Sequence, residues 1–280
     1  MLKIFSFVLA ASILLLTQAS CRKLNDFIRD HPDVHDTLCR ITQMNLSGLT
    51  GRPDTFDVLY NAKGNPTDIL ERSLNIFGID NIEHHFRYDK FGRLLYYFIN
   101  YSPQPGSGTP NATGGLIFHK YDYPRKNFVT DTVIMYTPGY PPMYDSAFDA
   151  NIKGYTLDEK GRIVKLWTVF RDPHKLPELA GDIVYDANGN LPLSNPELVY
   201  DNKVNVYRTS KIFQFVFNDF SRNNPINTTI PSPISYNEFG LPLILPKSDH
   251  YYGSLFDFAN SGASMNFVYA CSMPKGPINY

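Results

Sequence analysis

His84, Phe86 and Tyr88 alternate with His85, Arg87 and Asp89, the two-residue period of a half-buried strand. Arg93 to Ile99 is a second aromatic, β-favouring run. Asp89-Lys90-Phe91-Gly92 lies between them. An Asp carboxylate at the start of a turn accepts the N–H two residues on, and a Gly at its end supplies the positive φ that closes a hairpin with a bulge. The segment therefore predicts one β-hairpin. The same grammar returns at Tyr60 to Gly64, Leu157 to Gly161, Tyr185 to Gly189 and Tyr236 to Gly240. This makes Gly64, Gly92, Gly161, Gly189 and Gly240 the expected hairpin-turn glycines.

Around these turns the polarity pattern predicts strands over 37–45, 55–60, 67–72, 115–123, 127–136, 182–193, 198–207, 235–245 and 264–272. Between 153 and 170, Val164, Leu166, Thr168 and Phe170 share one face, and Ile163, Lys165, Trp167 and Val169 the other. Asp122 to Lys126 keeps the Tyr-Asp opening without its Gly, and at Tyr200-Asp201-Asn202-Lys203 an Asn stands where the left-handed residue is expected. Residues 101–115 and 138–150, rich in Pro and Gly, read as long connections, where binding residues are often carried. Residues 210–221 break the pattern. Ile212, Phe213, Val216, Phe217 and Phe220 recur at helical spacing, Thr209 or Ser210 can cap the start, and the alternation of Lys211, Phe213, Phe215 and Phe217 keeps a strand reading open. The expected fold is all-β and mainly antiparallel. It is a meander of about 12 to 16 strands curled into a barrel or a strongly coiled sheet, with one helix near 210–221 packed on it or plugging it.

The N-terminus changes the picture of compartment. Lys3 is followed by an apolar run from Ile4 to Leu16 and then by Ala19-Ser20-Cys21, the three-part layout of an export signal too short to span a bilayer. Small residues directly before Cys21 look like a bacterial lipobox, so the expected organisation is a lipoprotein signal peptide over 1–20, a lipidated Cys21 with a charged tether over 21–36, and a single β domain over 37–280. Gln18 departs from the usual aliphatic residue, and cleavage near Ala19 is the alternative. Of 280 residues, nineteen are Tyr and twenty Phe against one Trp, a composition of short strands joined by specified turns. A formal net charge of −1 is no nucleic-acid footprint.

Candidate chemistry is sparse. His31 and His35 straddle Pro32 in the tether with no further convergent ligand, and His84 and His85, adjacent on a strand, point to opposite faces. No metal site is expected. No Ser, Cys or carboxylate sits in a nucleophile or phosphate-loop motif, so neither a catalytic residue nor a cofactor is expected. Cys39 and Cys271 fall in the first and last strands, which become neighbours if the meander closes; an oxidising envelope permits a disulfide there, and two buried thiols are the alternative.

The Tyr-Asp-x-x-Gly-Arg-Leu/Ile units at 88–94 and 157–163 resemble the YD repeats of Rhs-type proteins. Together with the lipobox, the Tyr-Asp-Asn-Lys-x-Asn stretch at 200–205 and the Ser-Arg-Asn-Asn-Pro stretch at 221–225, they are similar to a family of bacterial envelope lipoproteins of unknown function described as having a porin-like barrel fold. That resemblance implies an outer-membrane lipoprotein and brings no catalytic residues. The function expected is a non-catalytic binding module for a glycan, peptide or protein partner, attached to the membrane through its lipid. The alternative is a scaffold that encloses or organises another chain.

Overall fold

The computed structural model describes residues 39–47, 54–72, 81–102, 115–136, 151–172, 174–193, 196–227, 234–246 and 264–271. The signal, Cys21, His31, His35 and the tether lie outside them, as do most of 101–115 and 138–150. The strands are β1 (Cys39–Ser47), β2 (Asp54–Tyr60), β3 (Pro66–Glu71), β4 (Asn81–Tyr88), β5 (Leu94–Ser102), β6 (Gly115–Arg125), β7 (Phe128–Tyr136), β8 (Asn151–Leu157), β9 (Ile163–Phe170), β10 (Glu178–Asp182), β11 (Leu198–Tyr200), β12 (Pro225–Asn227), β13 (Ser235–Tyr236), β14 (Pro242–Pro246) and β15 (Ser264–Cys271). A 3-10 helix (Val206–Thr209) leads into one α-helix, α1 (Lys211–Val216). The protein is all-β, and thirteen strands form one antiparallel sheet in the order β10-β9-β8-β7-β6-β5-β4-β3-β2-β1-β15-β14-β13.

The first and last strands do pair, with Cys39 opposite Cys271. The sheet nevertheless stays open, because β14 and β13 continue beyond β15 and β10 ends the other side. A closed barrel is therefore not formed. The cause is visible after Asp182. The expected strand over 182–193 stops at β10, where only Ile183 N still donates to Val164 O, at 2.9 Å, and the chain leaves the sheet to build the interior. The expected strand over 198–207 likewise ends at Tyr200, and Val206 to Thr209 turn helical.

That interior segment is buried by the concave face. Val206, Tyr207, Phe213, Phe217 and Phe220 share one apolar cluster with Ile41, Phe56, Ile69, Phe86, Tyr121, Tyr155, Ile163, Leu245 and Phe267. Laid flat, the eleven strands from β9 round to β14 would span about 48 Å. A six-residue helix is about 9 Å long, so the sheet has to wrap around it. The helix is shorter than its sequence pattern because Phe217 ends it and Asn218 takes φ 52°. Ser210 caps its start by accepting from Ile212 N at 3.2 Å. Aromatic contacts set its angle: Phe213 meets Phe86 of β4 at 6.1 Å between ring centroids, and Phe215 meets Tyr121 of β6 at 5.3 Å and Tyr155 of β8 at 5.8 Å. Each such ring contributes about 2–3 kcal/mol of burial.

Five turns share one construction. In the unit at Asp89, the carboxylate accepts from Phe91 N and Arg93 N, both at 2.9 Å, while Asp89 N donates to Arg93 O at 2.9 Å. Asn61, Asp158, Asp186 and Asn237 repeat these bonds, and the five glycines all have φ between 75° and 86°. The turns are linked in series by tyrosine hydroxyls. Tyr88 donates to Pro66 O at 2.6 Å, Tyr123 to Leu94 O at 2.7 Å, Tyr185 to Ile163 O at 2.9 Å, Tyr200 to Leu191 O at 2.8 Å and Tyr269 to Pro242 O at 2.7 Å. Each acceptor lies two residues after a turn glycine. Arg93 covers the Tyr123 ring at 4.5 Å and Arg162 the Tyr185 ring at 4.3 Å, so the Arg that follows a glycine seals the next tyrosine. Burial of these phenols pushes Tyr123 and Tyr200 up to about 12, keeping them protonated donors.

The turn without a glycine departs from the expected form. β6 runs on to Arg125, the tip is Lys126-Asn127 with Asn127 at φ 59°, and Tyr123 rather than Tyr121 joins the ladder. Tyr121 instead points into the core.

Two substitutions test this construction. Gly161 has open space where a Cβ would stand but φ +78°, so Gly161→Ala is expected to cost about 1 kcal/mol in a urea melt, whereas Gly161→Asn costs little, because Asn tolerates the left-handed region. The disulfide between Cys39 and Cys271, 232 residues apart in sequence, is expected to contribute about 3–5 kcal/mol, lost in Cys39→Ser/Cys271→Ser and in reduced wild type alike.

Candidate functional site

Opposite the filled interior, the outer face of β3 to β7 carries a row of half-buried side chains. Register places Asp68 beside His85, His85 beside Phe98, Phe98 beside Phe118 and Phe118 beside Ile134. His85 stacks on Phe98 with centroids 4.6 Å apart, Phe98 on Phe118 at 6.3 Å, and Tyr96 tilts onto Phe118 at 5.2 Å. Charge borders the rings. Arg87 lies 5.7 Å from the Phe98 centroid and donates from both terminal nitrogens to Asp68 at 3.2 Å. His85 Nδ1 bonds the same carboxylate at 2.7 Å, and its Nε2 reaches Glu83 at 3.3 Å. Partial burial works against the Asp68 charge, but hydrogen bonds from His85 and Thr67 and the Arg87 charge hold its carboxyl below the usual range. The result is an apolar, aromatic surface with fixed charges along one side, suited to non-covalent contact.

The concave face holds a second polar group, under the chain's own insert. Asp131, almost fully buried, accepts from Tyr155 Oη at 3.3 Å and from His119 Nδ1 at 3.1 Å. Burial, and then the Asp131 carboxylate, push the Tyr155 phenol well up, so it stays a donor. A His held by a carboxylate can serve as a base, yet no hydroxyl or thiol bonds His119 among the described residues, and no group of three metal-binding side chains occurs among them. Nearby His84, 1 % exposed, bonds Tyr97 Oη through Nδ1 at 2.8 Å. Burial, with a smaller contribution from the His85 charge, brings it down to about 3, so it is neutral.

The two Asn-rich motifs form neither site; they bind each other. Asp201 accepts from Lys203 N at 2.9 Å like any turn of the series, but the partner that elsewhere sits four residues on is here Asn224. Asp201 N donates to Asn224 O, and Asn224 N to Asp201 Oδ1, both at 3.0 Å. Asn202 therefore has no need of the left-handed conformation, and positive φ outside glycine is confined to Asn127 and Asn218 among the described residues. Asn224 Oδ1 accepts from Val206 N at 3.0 Å, and Asn205 bonds Asp219 at 3.0 Å and the Asn223 carbonyl at 3.1 Å. Tyr236 Oη donates to Asp201 at 2.6 Å. This clasp fixes the insert under the sheet.

Of the residues singled out in the sequence, Cys39 and Cys271 are joined, with Cys39 fully buried and Cys271 exposed. The five glycines occupy the turns, and His84 and His85 face opposite sides as their spacing requires. The outer row and the His119–Asp131–Tyr155 group were not anticipated. Counting back from the Lys126-Asn127 tip puts residues 119 and 131 diagonally on one face, but that tip is not legible without a glycine. Comparison with family models finds no match, and comparison with curated proteins finds none either. The protein thus stands as an all-β chain that, among the described residues, has a thirteen-stranded antiparallel sheet, one 3-10 helix and one α-helix. Among the described residues no helix is long and apolar enough to cross a membrane.

Two measurements test these assignments. Unfolded His84 takes a proton near 6.5 and the folded group only near about 3, so between those values the unfolded chain binds more protons and stability falls as pH falls. The stability gap between wild type and His84→Gln is expected to narrow by on the order of 3 kcal/mol from pH 7 to pH 4; parallel urea-melt series at the two pH values would contradict a buried neutral His84. Asn224→Ala, which strips the Asp201 and Val206 contacts from a fully buried site, is expected to cost about 3 kcal/mol and to release the insert in hydrogen exchange before the sheet opens.

Proposed function

We propose that the chain is a non-catalytic binding lipoprotein of the bacterial cell envelope, held at the outer membrane by lipid on Cys21 and taking a protein, peptide or glycan partner on the outer face of β3 to β7. The observation that carries this reading is the row Phe98–Phe118 with Tyr96, His85 and Arg87 about it. These aromatic side chains stand on the solvent side of a sheet whose core is already filled from the other side. Aromatic rings with a polar border offer large contact area at low entropic cost. A ligand inside the sheet is disfavoured, because Tyr207, Phe213 and Phe217 occupy that space. A disulfide between the terminal strands suits an oxidising compartment, and the resemblance to envelope lipoproteins points the same way.

The scaffold reading keeps one specific support: a helix-filled interior suits a protein that organises a neighbour by shape alone. The experiment that separates the two is capture from native envelope with the full chain and with Phe98→Ser/Phe118→Ser. Both changes lie on the outer face, so the thermal midpoint should move by only a few degrees while retention of the partner falls at least tenfold. A partner kept equally by the variant would sink the binding face, and Cys21→Ala, expected to leave the membrane fraction, tests the anchor separately.

A further inference from the structure

The disulfide that joins the first and last strands is unequal in its two halves. Cys39 and Cys271 face each other across β1 and β15, and the pairing continues with Arg40 opposite Ala270 and Ile41 opposite Tyr269. Cys39 is 0 % exposed and lies in a small apolar cluster with Leu241, edged by Val204, Phe239 and Tyr269. Cys271, at the end of β15, is exposed. One half of the bond therefore belongs to the interior and the other to the surface.

In thiol–disulfide exchange a thiolate attacks one sulfur and the other leaves, so access decides which sulfur is taken. An attack on Cys39 has to pass apolar contacts that exclude solvent, whereas Cys271 is met from solvent with Cys39 as the leaving group. We propose that Cys271 is a thiol-exchange site and Cys39 its resolving thiol. A thiolate bonds to Cys271 Sγ, the Cys39–Cys271 bond breaks, and the electron pair leaves on Cys39 Sγ. The incoming sulfur is oxidised as Cys39 is reduced, and no further reactant is needed. A thiolate left in the apolar cluster is poorly solvated, so Cys39 takes a proton or attacks the mixed disulfide and expels the thiol again. The fold survives the open state, because Arg40 to Ser47 stay paired with β15 through the backbone and Tyr269 keeps its bond to Pro242 O at 2.7 Å. This goes beyond the outer aromatic face and does not depend on it. The chemistry is the same for a low-molecular-weight thiol and for the cysteine of a thioredoxin-type protein.

The full chain carrying Cys21→Ala, in which no third thiol competes, is incubated with reduced glutathione. A parallel sample receives a thioredoxin whose second active-site cysteine is Ser. Both are quenched in acid, unfolded and alkylated with N-ethylmaleimide, and the cysteine peptides are mapped by mass spectrometry. The added thiol is expected on Cys271 and the maleimide on Cys39, at least tenfold over the reverse arrangement. The rate is expected to stay constant in urea held well below the unfolding midpoint. With glutathione disulfide, Cys271 in Cys39→Ser is expected to react at least tenfold faster than Cys39 in Cys271→Ser; the mapping of the disulfide-intact chain carries the test where a single variant does not fold. Adducts with glutathione alone assign the site to small thiols, and adducts with the thioredoxin alone to a protein thiol. No adduct with either, adducts shared equally or favouring Cys39, or a rate that rises with urea as unfolding does overturns the proposal.

Discussion

The structure depends on the hydrogen bond from a tyrosine hydroxyl to the carbonyl two residues past a turn glycine. One such bond stabilises by about 1 kcal/mol, which alone would decide little. Its importance is positional, because the acceptor follows one turn glycine and the donor lies in a later strand or turn of the chain. The series therefore locks neighbouring hairpins in register at one end of the sheet. A hairpin that slipped by one residue would lose its tyrosine bond and turn its apolar face outward together.

The same ladder explains how a sheet that does not close still has a sealed end. After β10 the units at Asp186 and Asp201 continue the tyrosine series outside the sheet, and Tyr236 joins it back to the strand at the far end. Between them the chain places its helical insert, so the concave face is covered by residues that the sheet itself does not supply. Asn224 standing in for the missing fifth residue of the Asp201 turn couples the rim to the insert. The concave His119–Asp131–Tyr155 group is then best understood as a buried carboxylate satisfied by two donors, since a carboxylate without them would be costly there.

With the interior occupied, the surface proposed for recognition lies on the outside of the molecule. Two features of different kind stand there. The aromatic row on β3 to β7 is a face, where specificity would come from ring contacts and the Arg87–Asp68–His85 charges. The β10 end is an edge whose outer side is unpaired among the described residues.

The sequence by itself determined what is local. Asx at the start and Gly at the end, with Tyr before them in four of the five and Leu157 in the other, specify each turn whatever surrounds it, because φ near +80° and a side-chain cap are properties of five adjacent residues. The alternation around them determined an antiparallel all-β chain. Tertiary structure decided what depends on distant residues meeting. The sheet ends at β10 where the chain turns inward, 183–193 and 201–207 are not strand and their tyrosines and asparagines find partners in the rim, and α1 stops at Phe217, with Asn218 at φ 52° after it. The pairing of 200–205 with 221–225 and the outer row Asp68-His85-Phe98-Phe118 join residues from separate elements, and apart from His85 and Phe98, which face each other across the hairpin at Asp89, no turn signal along the chain encodes these meetings.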